Sequence, residues 1–164
     1  MKKIEVMFSA IVLICALGVA PPATARGPVL PIAKVTPGAI NPSVTQGNIY
    51  STICVSGFTK TIRPSSSYTH DIKVQQLSGT YRRYHNTATR DFEEDHLISL
   101  ELGGAPSDVR NLWPEPYNGT NGARTKDRLE NTLHSLVCSG QIKLKTAQQA
   151  IAKNWWTAYL KYVH

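Results

Sequence analysis

The sequence predicts a small single α+β domain: a β-hairpin followed by a helix, with an additional helix at the C-terminal end. Three observations carry this. Phe92 to Leu100 has His96, Ile98 and Leu100 on one parity. It is followed by the turn-rich Gly103-Gly104-Ala105-Pro106-Ser107-Asp108 and by a return leg at Asn111-Leu112-Trp113, which Pro114 and Pro116 end. From about Ala123 onward, Leu129, Leu133, Leu136 and Val137 form the apolar stripe of a helix that Gly140 stops. Beyond it, Thr146-x-x-Gln149 is a capping-box pattern, and Ala147, Ile151, Trp155, Ala158 and Tyr162 fall on one face of a last helix. A chain of 164 residues is one domain's worth, and no internal repeat is visible.

Residues 1–25 stand apart. Lys2-Lys3 is a charged start, Val6 to Ala20 is apolar, and Ala23-Thr24-Ala25 is a small-residue cleavage pattern, which together read as a secretory signal peptide. The apolar run is short for a membrane span, so no span is expected after cleavage near Arg26. Residues 26–47 hold four prolines and three glycines without any period, and read as an extended Pro/Gly-rich leader, exposed and tether-like. Residues 48–164 are then the folded domain. Asn48 to Val55 fits a helical turn or a strand equally. Thr59 to Arg63, closed by Pro64, reads as an extended edge segment. Thr69 caps a short helix through Leu77, with Ile72 and Leu77 inward and Gly79 as its stop.

Cleavage of the signal removes Cys15 and leaves Cys54 and Cys138. An oxidising compartment permits a disulfide between them, and secretion favours that over two separate thiols. There is no C-x-x-C, which argues against a zinc site built from cysteines. The formal charge is +7, of which the first 25 residues carry +1, so the remainder carries +6. A basic domain suits a polyanion such as nucleic acid, and equally suits plain solubility or adhesion to an anionic surface. Tyr81-Arg82-Arg83-Tyr84-His85 is a basic-aromatic cluster that fits either a nucleic-acid grip or an amphipathic segment with its arginines in solvent.

The chemistry concentrates at Asp95-His96. Asp offers a hard oxygen ligand and His a neutral base near pH 7. On an ideal strand the two point apart, so they share a site only if the strand bends or the site lies at its end. Asp95-His96-Leu97-Ile98-Ser99-Leu100-Glu101-Leu102-Gly103-Gly104, Asn111-Leu112-Trp113-Pro114 and Lys126-Asp127 at these spacings resemble the HNH endonuclease superfamily. More narrowly, the block is similar to that of a family of small secreted bacterial HNH-like proteins, over about Thr36 to Tyr159. The resemblance implies a ββα-metal core and a secreted or periplasmic metal-dependent endonuclease. In it His96 is the general base, Asn111 holds the hairpin loop and keeps the base oriented, and one divalent ion is bound. That ion is taken as Mg²⁺, with Mn²⁺, Zn²⁺ and Ni²⁺ as alternatives. Asp95 is the first expected ligand. The usual third His of the pattern is missing, and the position four before the Lys-Asp pair is Gly122. Asn121 or Asp127 then serves as the helix ligand, or Asp95 and water hold the metal, or metal binding is lost. Arg82, Arg83, Arg124, Lys126 and Arg128 are the expected phosphate contacts, with DNA ahead of RNA as the partner. The competing reading is an inactive, disulfide-stapled envelope protein that binds anionic polymers.

Overall fold

A computed structural model of the chain describes residues 27–117 and 121–163; the expected signal peptide lies outside them. Among the described residues, four α-helices, short 3₁₀ turns and one hairpin make up the fold. Two strands, β1 (Phe92–His96) and β2 (Leu112–Pro116), pair antiparallel, with Phe92 opposite Pro116, Glu93 opposite Glu115, Asp95 opposite Trp113 and His96 opposite Leu112. Before them come α1 (Phe58–Ile62) and α2 (Ser66–Ser78); after them come α3 (Ala123–Cys138) and α4 (Leu144–Tyr162). The α+β expectation thus holds, with a helix following the hairpin and another after it.

The hairpin lies between helices. Helix α2 starts where the Ser65 side chain accepts a hydrogen bond from Tyr68 N. It is tied to both strands: Lys73 Nζ donates to Phe92 O at 2.8 Å, and Gln76 Nε2 donates to Leu112 O at 2.9 Å. Helix α3 carries the expected leucine stripe, with Leu129, Leu133 and Val137 fully buried. They meet Ile151 and Trp155 of α4 and Leu97, Ile98, Leu102 and Trp113 from the hairpin in one continuous core. The backbone of α4 leaves helical geometry at Asn154, whose Oδ1 accepts from Thr157 N at 2.9 Å and restarts the helix. Cys54 and Cys138 form the expected disulfide, joining the turn after a 3₁₀ segment (Gln46–Ser51) to the last residue of α3.

Several local expectations are corrected. The segment 59–63 is not an edge strand; residues 59–62 lie in α1 and Arg63 caps it, and its bonds close locally, Lys60 N to Gly57 O and Arg63 N to Thr59 O. Strand β1 stops at His96 rather than reaching Leu100, since Leu97 N and Ile98 N bond to the main chain and side chain of Asn111. Helix α4 begins two residues before Thr146. From residue 27 on, the leader is no tether. Gly38 N donates to Arg110 O, Asn41 N to Gly103 O, and Ala39 O accepts from Ala105 N, so this segment lies along the loop between the strands. Thr36 and Val44 are buried there, and Thr36 Oγ1 lies 2.7 Å from the buried Tyr81 hydroxyl.

Candidate active site

The loop between β1 and β2 is built around Asn111. Its Oδ1 accepts from Ile98 N at 2.9 Å, and its Nδ2 donates to Ile98 O at 3.0 Å and Ala105 O at 3.1 Å. The amide therefore uses both of its ends and is fully buried. Gly103 turns the chain at φ +71°. Gly104 passes so close to the opposite leg that a Cβ there would stand 1.8 Å from Ile98 O and 2.8 Å from Asn111 Nδ2. Only glycine fits.

This folded loop brings Pro106 back to His96, whose Nε2 donates to Pro106 O at 2.8 Å. A carbonyl can only accept, so the proton of the neutral ring is on Nε2 and the lone pair is on Nδ1. Burial lowers the pKa of the imidazole; Asp95 and the Pro106 carbonyl work against that, and Arg63 and Lys126 reinforce it. His96 is thus neutral at pH 7. It lines a cleft of about 350 Å³ together with Arg63, His70, Lys73, Glu93, Glu94 and Tyr117. The α1–α2 wall carries Arg63 and Lys73, and the β1 wall carries Glu93 and Glu94, whose carboxyls burial raises, that of Glu94 to about 8.

Asp95 goes to the other face, as strand geometry demands. Lys126, on the first turn of α3, is fully buried, and its ammonium donates to Asp95 Oδ2 at 2.5 Å, to His96 O at 2.9 Å and to Glu130 Oε1. Glu115 Oε2 lies 3.8 Å away. One ammonium therefore faces three carboxyls. Burial alone would lower the Lys126 pKa, but Asp95, Glu130 and Glu115 hold it well above the ordinary value. Burial likewise opposes the charge on Asp95, yet Lys126 keeps its carboxyl below the usual range. Glu115 is pushed far up by burial and by Asp95, and Glu130 is pushed up by burial despite Lys126. Neither carboxyl oxygen of Glu115 has a hydrogen-bond donor, so its burial favours the uncharged form.

The expected residues are therefore distributed unevenly. His96 and Asn111 are brought together by one loop. Lys126, expected on a phosphate, is a buried ion-pair partner. Arg82, Arg83, Arg124 and Arg128 are all exposed, and Arg128 lies 5.5 Å from the Tyr159 ring centre. In the basic-aromatic cluster, Tyr81 is buried and Tyr84 stacks on Phe92, so neither ring is free to stack on a base. The expected ligands Asp95, Asn121 and Asp127 form no ready-made cage: among the described residues, no three His, Cys, Asp or Glu ligand atoms converge around Asp95. The donors near it are hard oxygens nonetheless. Burial raises the Glu93 and Asp127 carboxyls, and the charge of Asp95 raises both further, so negative charge there is not fully offset. That fits a Mg²⁺-type ion, which uses one or two carboxylates and keeps its water, and does not fit a closed zinc cage. Sequence reasoning misses Arg63 because its segment reads as an extended edge, and misses His70 and Lys73 because the packing of α2 against β1 leaves no signal in the spacing of either.

Compared with family models, with curated proteins and with solved structures, the chain finds no match in any of the three.

Proposed function

We propose that the protein is a secreted, metal-dependent HNH-like endonuclease that hydrolyses phosphodiester bonds in nucleic acid, with His96 as general base. One observation carries the reading. A buried, neutral imidazole, held through Nε2 by a backbone carbonyl, lines a cleft whose opposite wall carries Arg63 and Lys73. Its Nδ1 is the basic nitrogen required to take a proton from water. Arg63 and Lys73 receive the phosphate; Lys73 is already fixed by its bond to Phe92 O. Water attacks phosphorus in line, the bond to the 3′ oxygen breaks, and the leaving oxygen takes a proton from solvent, which leaves a 5′-phosphate. Asp95 and His96 lie on opposite faces but are the last two residues of β1, so a divalent ion held by Asp95 with Asp127 or Asn121 would supply positive charge to a phosphate bound across that strand end. Asn111 keeps the loop closed so that Pro106 O stays on His96. The disulfide suits an oxidising compartment, and no described helix is long and apolar enough to cross a membrane.

A second reading, an inactive envelope protein that binds anionic polymers, rests on Lys126. Its ammonium already takes Asp95 Oδ2, the oxygen expected to hold a metal. One experiment separates the two: nicking of plasmid DNA, with an RNA substrate in parallel, by the purified chain with Mg²⁺ and with EDTA. The endonuclease reading expects Mg²⁺-dependent nicking that His96→Ala lowers by about 10²–10⁴-fold while DNA binding is kept. Nicking at an unchanged rate in His96→Ala would remove His96 from the mechanism. No nicking of either substrate under any divalent ion leaves the binding protein.

A further inference from the structure

Away from the cleft, one group of side chains has metal-binding chemistry that the hydrolytic site does not use. His134 and Cys138 stand four residues apart on α3 and therefore share a helix face. The disulfide partner Cys54 meets them from the segment before α1. One ligand atom from each of the three lies within 4.8 Å of the other two, and all three residues are half-buried, so an ion can reach them from solvent.

We propose that, once the disulfide is reduced, Cys54, His134 and Cys138 bind one soft divalent ion of the zinc type. In a tetrahedral site with metal–sulfur bonds of ~2.3 Å and metal–nitrogen bonds of ~2.0 Å, ligand atoms stand about 3.3–3.8 Å apart. The three side chains need only small movements to reach that spacing. The Cα atoms of the two cysteines are 5.7 Å apart, close enough to serve either a sulfur–sulfur bond or a shared ion. The imidazole is supported on both sides: Nε2 lies 2.9 Å from Ile53 O, and Nδ1 lies 3.9 Å from Glu101 Oε2. Ile53 O can only accept, so Nε2 carries the proton and Nδ1 the lone pair that takes the ion, which leaves the Nε2–H on a backbone carbonyl as metal-bound imidazoles require. Water or Glu101 completes the fourth position.

The redox step is a plain exchange. A dithiol reductant gives two electrons and two protons to the sulfur–sulfur bond and is itself oxidised to a disulfide. Cys54 and Cys138 become thiols, and metal binding displaces one proton from each. Disulfide and metal exclude one another, so the same staple has an oxidised form and a metal form.

The full chain carrying Cys15→Ser, so that the only thiols come from this pair, is titrated with Co²⁺ in oxidised and in reduced form. A water-soluble phosphine reduces it, becoming the phosphine oxide with oxygen from water, while that water supplies the two protons. The reduced chain is expected to bind one Co²⁺ with the intense visible bands of tetrahedral coordination and a thiolate charge-transfer band, and Zn²⁺ is expected to displace it. The oxidised chain shows neither band. His134→Ala closes the disulfide normally but loses the bands at equimolar metal. Absence of bands in the reduced chain, or bands of equal strength in reduced His134→Ala, overturns the proposal. If reduction unfolds the chain, Zn²⁺ must restore its far-ultraviolet circular dichroism; failure to do so overturns it equally.

Discussion

Replacing Lys126 by methionine keeps the length of the side chain and removes its charge. In the native protein that ammonium makes three hydrogen bonds, to Asp95, Glu130 and the carbonyl of His96, with no exposure to water. Burial pushes Glu115 far up and Glu130 up to about 8, so both favour their uncharged forms, whereas Asp95 is held below the usual range by Lys126. Lys126→Met therefore strands one buried carboxylate beside β1. Breaking a buried pair from one side costs about 3–5 kcal/mol. With a urea dependence of ~2 kcal/mol per molar for a domain of this size, the unfolding midpoint should fall by about 2 M. The buried Trp113 and Trp155 report the transition by fluorescence. The double variant Asp95→Asn/Lys126→Met removes the stranded charge and should regain a large part of the loss. A midpoint shift below about 0.5 M for Lys126→Met would refute the reasoning. So would a double variant no more stable than the single one, because the cost would then not come from an unpaired carboxylate.

Three further outcomes are expected. Asn111→Ala removes three hydrogen bonds from a buried loop and should cost about 3 kcal/mol, read from the same urea midpoint. Gly104→Ala places a methyl against the immovable Ile98 carbonyl and should abolish the cooperative thermal transition, whereas Gly27→Ala, with nothing within 4 Å, should leave it unchanged. If Arg82 and Arg83 contact phosphate, each change to Gln should lower the salt slope of DNA binding by ~0.9, while Lys126→Met should leave that slope alone because its charge never reaches solvent.

What the sequence made legible had a local or countable signal. The leucine spacing of α3 and the pairing of Cys54 with Cys138 needed only a period and an even cysteine count in a secreted chain. The loop built on Asn111 was legible only through the resemblance of its block to the HNH pattern, since the residue by itself reads equally as a plain turn Asn. The leader was not, because it is held by backbone bonds to the 97–111 loop, and a backbone bond leaves no trace in residue type. Thr59 to Arg63, closed by Pro64, reads as an extended edge, but an edge strand needs a partner, and among the described residues none pairs with it. Lys126 is the instructive miss. It lies three residues before Leu129 and seven before Leu133, on the buried stripe itself, and Glu130 follows four residues later. Read as a stripe position with an acidic neighbour, it is a candidate for a buried ion pair; read as one more lysine on a basic chain, it becomes a surface contact.

The disulfide has a topological consequence. It spans 84 positions, and the covalent ring it closes contains α1, α2, both strands and all of α3. His96, Asn111, Asp95 and Lys126 all sit inside that ring, while the 27–53 segment and α4 hang from it as two tails. A protease that cuts once within the ring, for instance between β2 and α3, opens a circle rather than severing a molecule. The halves of the cleft stay tethered through sulfur, and they part only when a reductant follows the cut.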